Sequence, residues 1–208
     1  MSPRSPRRVA RPASRKAPHD IRELFVAAAL RILDHADADA HKLDARTLAR
    51  EAGRSLGSLT FQFKGGLWEL RAATAARGVA LLVDAVRAEQ LKPRKTPPES
   101  LKAMARAFIL FALGHERLYR LILSELWDQK VSDARAALRR LVREQVMHCQ
   151  VTGAMRLGDP ERLTRLVAGV VWGITQSVLD GETARSQAAD AVTSAVDDLL
   201  EGVAPAKA

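Results

Sequence analysis

The chain has one cysteine, Cys149, so no intrachain disulfide can form, and aromatic residues make up only 4% of it. No apolar run approaches the ~18 residues that a membrane span requires, and no apolar leader follows Met1. A cytoplasmic protein with no membrane partner is expected. Val and Ile are scattered rather than alternating, and no Asn-Gly or Asp-Gly turn sits between β-branched runs, which argues against hairpins. A glycine-rich phosphate loop and an HExxH motif are also missing. His19, His35, His41, His115 and His148 show no metal-ligand spacing, and adjacent His148 and Cys149 would point about 100° apart on a helix. Neither an enzyme nor a cofactor is implied.

What is present is a chain of 208 residues, 47% hydrophobic and rich in Ala, Leu, Val and Arg. That composition suits an all-α protein with a sizeable core. The net charge is +9, and Arg4, Arg7, Arg8, Arg11, Arg15 and Lys16 supply two thirds of it. Pro3, Pro6, Pro12 and Pro18 break up this stretch, so residues 1–18 read as a disordered basic arm. Such an arm can neutralise phosphates or enter an A·T-rich minor groove; equally, it can be a plain solubilising leader.

Apolar periodicity and capping signals predict about nine helices, over residues 19–35, 45–52, 56–62, 66–90, 98–114, 115–128, 132–152, 160–180 and 183–200. Lys92-Pro-Arg-Lys-Thr-Pro-Pro98 breaks the pattern and marks a boundary. The domains expected are residues 19–65, a connecting helix over 66–92, and a C-terminal unit over 98–204.

The segment Asp44–Phe63 carries the most information. Asp44 can cap one short helix and Ser55 a second, with Gly53 suited to the left-handed turn between them. Leu48, Ala49 and Ala52 share one face of the first helix, while Leu59 and Phe63 point inward from the second. Small and polar residues are left outward, as close approach to base edges and phosphates requires. The set expected to form a DNA-binding element is Asp44, Arg46, Thr47, Arg54, Ser55, Gly57, Ser58, Thr60, Phe61, Gln62, Phe63 and Lys64.

This segment resembles the helix-turn-helix of TetR-type transcriptional regulators. The resemblance begins at Ile21–Ala36, similar to the first helix of that domain, and runs through Leu67–Leu70. It implies double-stranded operator DNA as a partner and a repressor acting as a dimer, released by a small, largely apolar effector. The family usually has a small apolar residue at Arg54, a tyrosine at Thr60, a histidine at Gln62 and a lysine at Gly66. Two phosphate contacts are thereby missing, and Arg54 and Lys64 are positioned to replace the charge.

The C-terminal half is similar to a TetR subgroup named for a Trp-His-Gly signature, through Phe111–Leu121 and Val171–Gly181, but Gln176 and Ser177 replace the His and Gly. A ligand pocket is expected from Phe108, Phe111, Tyr119, Ile122, Trp127, Met147, Trp172 and Gln176, residues that could equally be plain core. The 160–180 helix is apolar on several sides, and Ala188, Val192, Ala195, Val196 and Leu199 form a stripe on the last helix. Pairing these two helices with their copies would make a four-helix homodimer interface; the other reading is that they complete a monomeric core. The functional alternative is a degenerate helix-turn-helix scaffold that binds a small molecule or protein without reading an operator.

Overall fold

Side-chain caps fix where most of the helices begin. In a computed structural model, which describes residues 18–34 and 43–203, Asp44, Ser55, Thr96, Asp128 and Asp159 each accept from a backbone N–H of the helix that follows. The described residues form α1 (Pro18–Asp34), α2 (Ala45–Glu51), α3 (Leu56–Gln62), α4 (Gly66–Gln90), α5 (Pro97–Gly114), α6 (Glu116–Ser124), α7 (Gln129–Val151), α8 (Pro160–Leu179) and α9 (Ala188–Gly202). A 3-10 turn, Arg185–Gln187, precedes α9, and no strand occurs among the described residues. The fold is all-α. The basic arm up to residue 17, and residues 35–42 between the first two helices, lie outside the described residues.

The described residues form three large apolar cores and a small fourth one of Ala112, Tyr119 and Leu179. Phe25, Leu48, Leu59, Phe63 and Leu70 close the first, under α1, α2, α3 and the start of α4. Val79, Leu82, Val86, Met104, Leu118 and Val131 belong to the second, where α4 meets α5, α6 and α7. Ile109, Val146, Val167, Val192 and Val196 belong to the third, among α5, α7, α8 and α9. Helix α4 has 25 residues and therefore extends roughly 37 Å at 1.5 Å per residue. It serves the first core with Leu70 and the second with Val79 to Val86.

Three boundaries differ from the sequence reading. Helix α6 ends at Ser124, because Ser124 Oγ donates to the Leu121 carbonyl and the chain then turns to a new cap. That cap is Asp128, which accepts from Lys130 N at 2.8 Å, so α7 starts before Ser132. Helix α9 begins at Ala188 rather than Thr183. The Ser177 carbonyl accepts from both Glu182 N and Thr183 N, which holds that stretch against the end of α8.

The stripe expected on α9 is largely consumed inside the chain, since Ala188, Val192 and Val196 are buried in the third core. On α8 one face remains uncovered: Leu166 and Trp172 are 41% and 52% exposed, and Gly169 and Gly173 lie open beside them. Cys149 is buried, and burial pushes its thiol up to about 11, so it is an unreactive core residue.

Gly78 sets the approach of α6 to α4. A Cβ added there would come within 2.7 Å of Leu118 Cδ1 and 3.1 Å of Ile122 Cδ1, both in buried side chains. Gly78→Val should lower stability by about 1–3 kcal/mol through overpacking, read as a lower urea midpoint at unchanged m-value.

Candidate nucleic-acid interface and internal cavity

The helix-turn-helix is built by local hydrogen bonds. Asp44 Oδ1 accepts from Arg46 N and Thr47 N, each at 2.9 Å, and Oδ2 accepts from the Thr47 hydroxyl at 2.8 Å. The Thr47 backbone N–H is the main reason that the Asp44 carboxyl lies below its usual range. Gly53 adopts φ +62°, the left-handed conformation expected between the two helices. Ser55 Oγ accepts from Ser58 N at 3.1 Å, which leaves its own proton free for an outside partner.

Helix α3 turns Leu59 and Phe63 into the core, 1% and 0% exposed. Phe63 was expected within the DNA-binding set, but a fully buried ring cannot touch a ligand. It meets Phe25 edge-on at 6.1 Å, and the Arg22 guanidinium lies 4.2 Å above its face. The outward side carries Arg54, Ser55, Gly57, Thr60, Phe61 and Lys64, with Ser58 and Gln62 half-buried. Arg46, Arg54 and Lys64 are exposed and have no ion-pair partner among the described residues. The Thr60 hydroxyl donates back to the Gly57 carbonyl at 3.1 Å, so its proton is engaged within the helix.

Gly57 has no internal reason to be glycine. A Cβ there would meet only Ser55 Oγ, at 3.9 Å, and an exposed glycine in a helix costs about 1 kcal/mol relative to alanine. What its missing side chain does provide is access to the α3 backbone from outside.

Two residues outside the expected set bear on this surface. Trp68, in the first turn of α4, is 61% exposed, comparable with Phe61 at 74%. Arg22 on α1 donates to the Gln62 carbonyl at 2.7 Å and to Glu69 Oε1 at 2.8 Å. Glu69 Oε2 in turn accepts from Gly65 N at 3.1 Å. Arg22 therefore holds the end of α3 and the start of α4 together.

A cavity of about 530 Å³ lies among α4 to α8. Of the pocket residues expected from sequence, Phe108, Tyr119, Ile122 and Trp172 line it. Four do not. Trp127 falls in the link after α6 and is 98% exposed. Met147 lies off the α7 face that presents Leu138 and Val142 to the cavity, five residues past Val142 and so about 140° around the helix. Phe111 belongs to the second core, tilted against His115 with ring centroids 4.8 Å apart. Gln176 sits one turn past Trp172, where the lining ends. The sequence reading also missed Arg135, Arg139 and Arg165, which line the cavity alongside the apolar residues.

Neither protein-family models nor curated protein sequences give a match to this chain. Solved structures do. A protein of unknown function from Rhodococcus sp. RHA1 superposes with TM-score 0.77 at 25% identity, covering 94% of this chain and 100% of its own. A putative TetR-family transcription regulator from Shewanella sp. PV-4 gives TM-score 0.64 at 17% identity, covering 89% and 98%. The chain has the TetR-type fold. RolR, solved in complex with its ligand resorcinol, gives TM-score 0.67 at 16% identity over 89% of this chain and 88% of its own. Among the described residues of this TetR-type chain, no group of three or more His, Cys, Asp or Glu is placed to hold a metal, and no helix is long and apolar enough to cross a membrane.

The Arg22–Glu69 pair generates a pH-dependent prediction. The Arg22 hydrogen bond, followed by the Gly65 N–H, holds the Glu69 carboxyl below its ordinary 4.5. A lowered carboxylate pKa contributes stability that is present above the ordinary value and lost as pH falls through the lowered one. Arg22→Ala should cost about 1.5–3 kcal/mol at pH 7, the range for a hydrogen bond to a charged group. The deficit of Glu69→Gln against wild type should be full at pH 7 and shrink once pH drops below the ordinary carboxylate value, measured by urea denaturation at both ends.

Proposed function

We propose that the chain is a DNA-binding transcriptional regulator, acting as a homodimeric repressor that a small molecule releases. The observation that carries this reading is the outward face of α3. It presents Arg54, Ser55, Gly57, Phe61 and Lys64 on a helix clamped from behind by Leu59 and Phe63. Unpaired cations there supply phosphate contacts, Ser55 keeps a free hydroxyl proton, and Phe61 offers an apolar edge suited to a thymine methyl. The absent Cβ of Gly57 lets a backbone or base edge come close to the helix. The residues proposed for DNA are Asp44, as the organiser of the turn, and Arg46, Thr47, Arg54, Ser55, Gly57, Ser58, Thr60, Phe61, Gln62 and Lys64.

A gel shift with the DNA flanking the protein's own gene should give a complex that keeps a sequence preference as salt rises. Arg54→Ala and Lys64→Ala should each weaken it several-fold and reduce the salt slope by about 1. A complex that melts away equally for all sequences would favour the alternative, a helix-turn-helix scaffold without an operator. The inward-turned Thr60 hydroxyl is the observation on that side.

Dimerisation is proposed through α8 with support from α9. One helix as short as α3 reads few base pairs, so a paired half-site supplies the missing specificity. The uncovered α8 face suits a close crossing, because Gly169 and Gly173 leave open space beside Leu166 and Trp172. Leu166→Glu should convert a dimer to a monomer in sedimentation velocity and cut operator binding at least tenfold.

The effector site is proposed as the α4–α8 cavity, with the domain division running through α4: residues 19–65 for DNA, 98–204 for ligand and pairing. A bound molecule would bear on Val79, Leu82 and Val86 of α4, whose first turn is tied to α3 through Glu69 and Arg22.

A further inference from the structure

We infer that the cavity takes an amphipathic organic anion: a single acidic head group on an apolar body. This rests on reading the cavity as the effector site, and it replaces the largely apolar effector expected from the sequence. The walls are apolar over most of their extent, from Val79 and Leu82 on α4 through Met104 and Phe108 on α5 to Leu138 and Val142 on α7. Into this lining come three cations and no carboxylate: Arg135 and Arg139 on α7, and Arg165 on α8.

Arg135 and Arg139 are spaced i, i+4 and so share one face of α7, while Arg165 comes from the neighbouring helix. All three are exposed to solvent, and none has a hydrogen bond or ion pair among the described residues. Like charges gathered without a counter-ion raise one another's energy, and an anion bound between them relieves that cost. Guanidinium groups also match a carboxylate through paired N–H donors.

A second, independent observation lies deeper. The Tyr119 side chain lines the cavity and is 2% exposed, yet its Oη has no hydrogen-bond partner among the described residues. A buried hydroxyl without a partner is costly, and it marks a place where a ligand oxygen is missing. Burial pushes the phenol up to about 12 against the opposing Arg135 charge, so it stays protonated and can donate. The other hydroxyl in the lining, Thr164, is already committed to the Pro160 carbonyl at 2.7 Å. The volume of about 530 Å³ lies within the range of sites that enclose a drug-sized ligand.

The test is calorimetric titration of the full chain with decanoate, decan-1-ol and decylamine, each below its micelle concentration. These share one apolar body and differ in the head. Decanoate should bind at least tenfold more tightly than the alcohol, with the amine weakest. The acid's advantage should fall at least fivefold in the combined Arg135→Gln, Arg139→Gln, Arg165→Gln variant, whose sites are exposed and tolerate the change. Tyr119→Phe should weaken decanoate several-fold. Arg140→Gln, on the same helix but outside the lining, should change nothing. Equal binding of acid and alcohol, preference for the amine, or no binding of any of the three by folded protein would overturn the inference. Operator binding by gel shift is scored separately. A loss of acid preference with an intact operator complex sinks this inference alone, and acid preference without an operator complex sinks the regulatory reading alone.

Discussion

The position of α3 depends on one guanidinium. Arg22 donates to the last carbonyl of α3, pairs with Glu69 in the first turn of α4, and stacks on Phe63, the residue that ends α3. A seven-residue helix is too short to persist in water without tertiary support. Its stability must come from its buried face and from partners for its orphan end carbonyls. Leu59 and Phe63 supply the first and Arg22 the second. Arg31 does the equivalent work for α2, bonding the Glu51 carboxylate at 2.7 Å and its carbonyl at 3.3 Å. Helix α1 thus organises both short helices, and leaves the outer face of α3 free of structural duties.

The same logic ties the three-helix unit to the bundle above it. Glu69 also faces Lys130 of α7 at 3.7 Å, and Arg71 bonds Glu125, buried after α6, at 2.9 Å. Asp34 at the end of α1 meets His115, between α5 and α6, at 2.9 Å. These polar links surround a helix, α4, that is itself shared between two apolar cores. An arrangement of this kind moves as packed blocks rather than bending smoothly, since interiors are close-packed.

How much of this could be read from the chain follows from what each signal encodes. Asp44, Ser55 and Asp159 cap their helices as expected because capping is local: the donor groups lie two or three residues away. Leu59 and Phe63 face inward as expected because spacing alone fixes their side of the helix. Trp127 and Met147 were misjudged for the opposite reason. Apolarity does not say which neighbour a residue meets, and a single cap at Asp128 moved Trp127 off any helix. The arginines carried no readable signal at all. Arg22, Arg135, Arg139 and Arg165 each look like ordinary solvent-facing cations in sequence, and only the packing of α1 on α4, and of α7 on α4 and α8, shows what each of them stands beside.

The two proposed sites constrain each other energetically. An effector in the cavity can lower operator affinity only as far as it prefers the arrangement that does not bind DNA; a tenfold effect requires a preference of about 1.4 kcal/mol. Apolar contact alone is a poor source of that preference, because the walls on α4 to α8 would grip a greasy body in either arrangement. A charged head is a better one. Arg135 and Arg139 ride on α7 and Arg165 on α8, so a small shift between these helices changes how well all three converge on one anion. Two guanidinium–carboxylate contacts made in one arrangement and lost in the other are of the order required, at up to about 1 kcal/mol for each exposed pair. The cations that sequence could not flag are therefore where discrimination between the two states is most economically placed, with α4 carrying the consequence to Arg22 and α3.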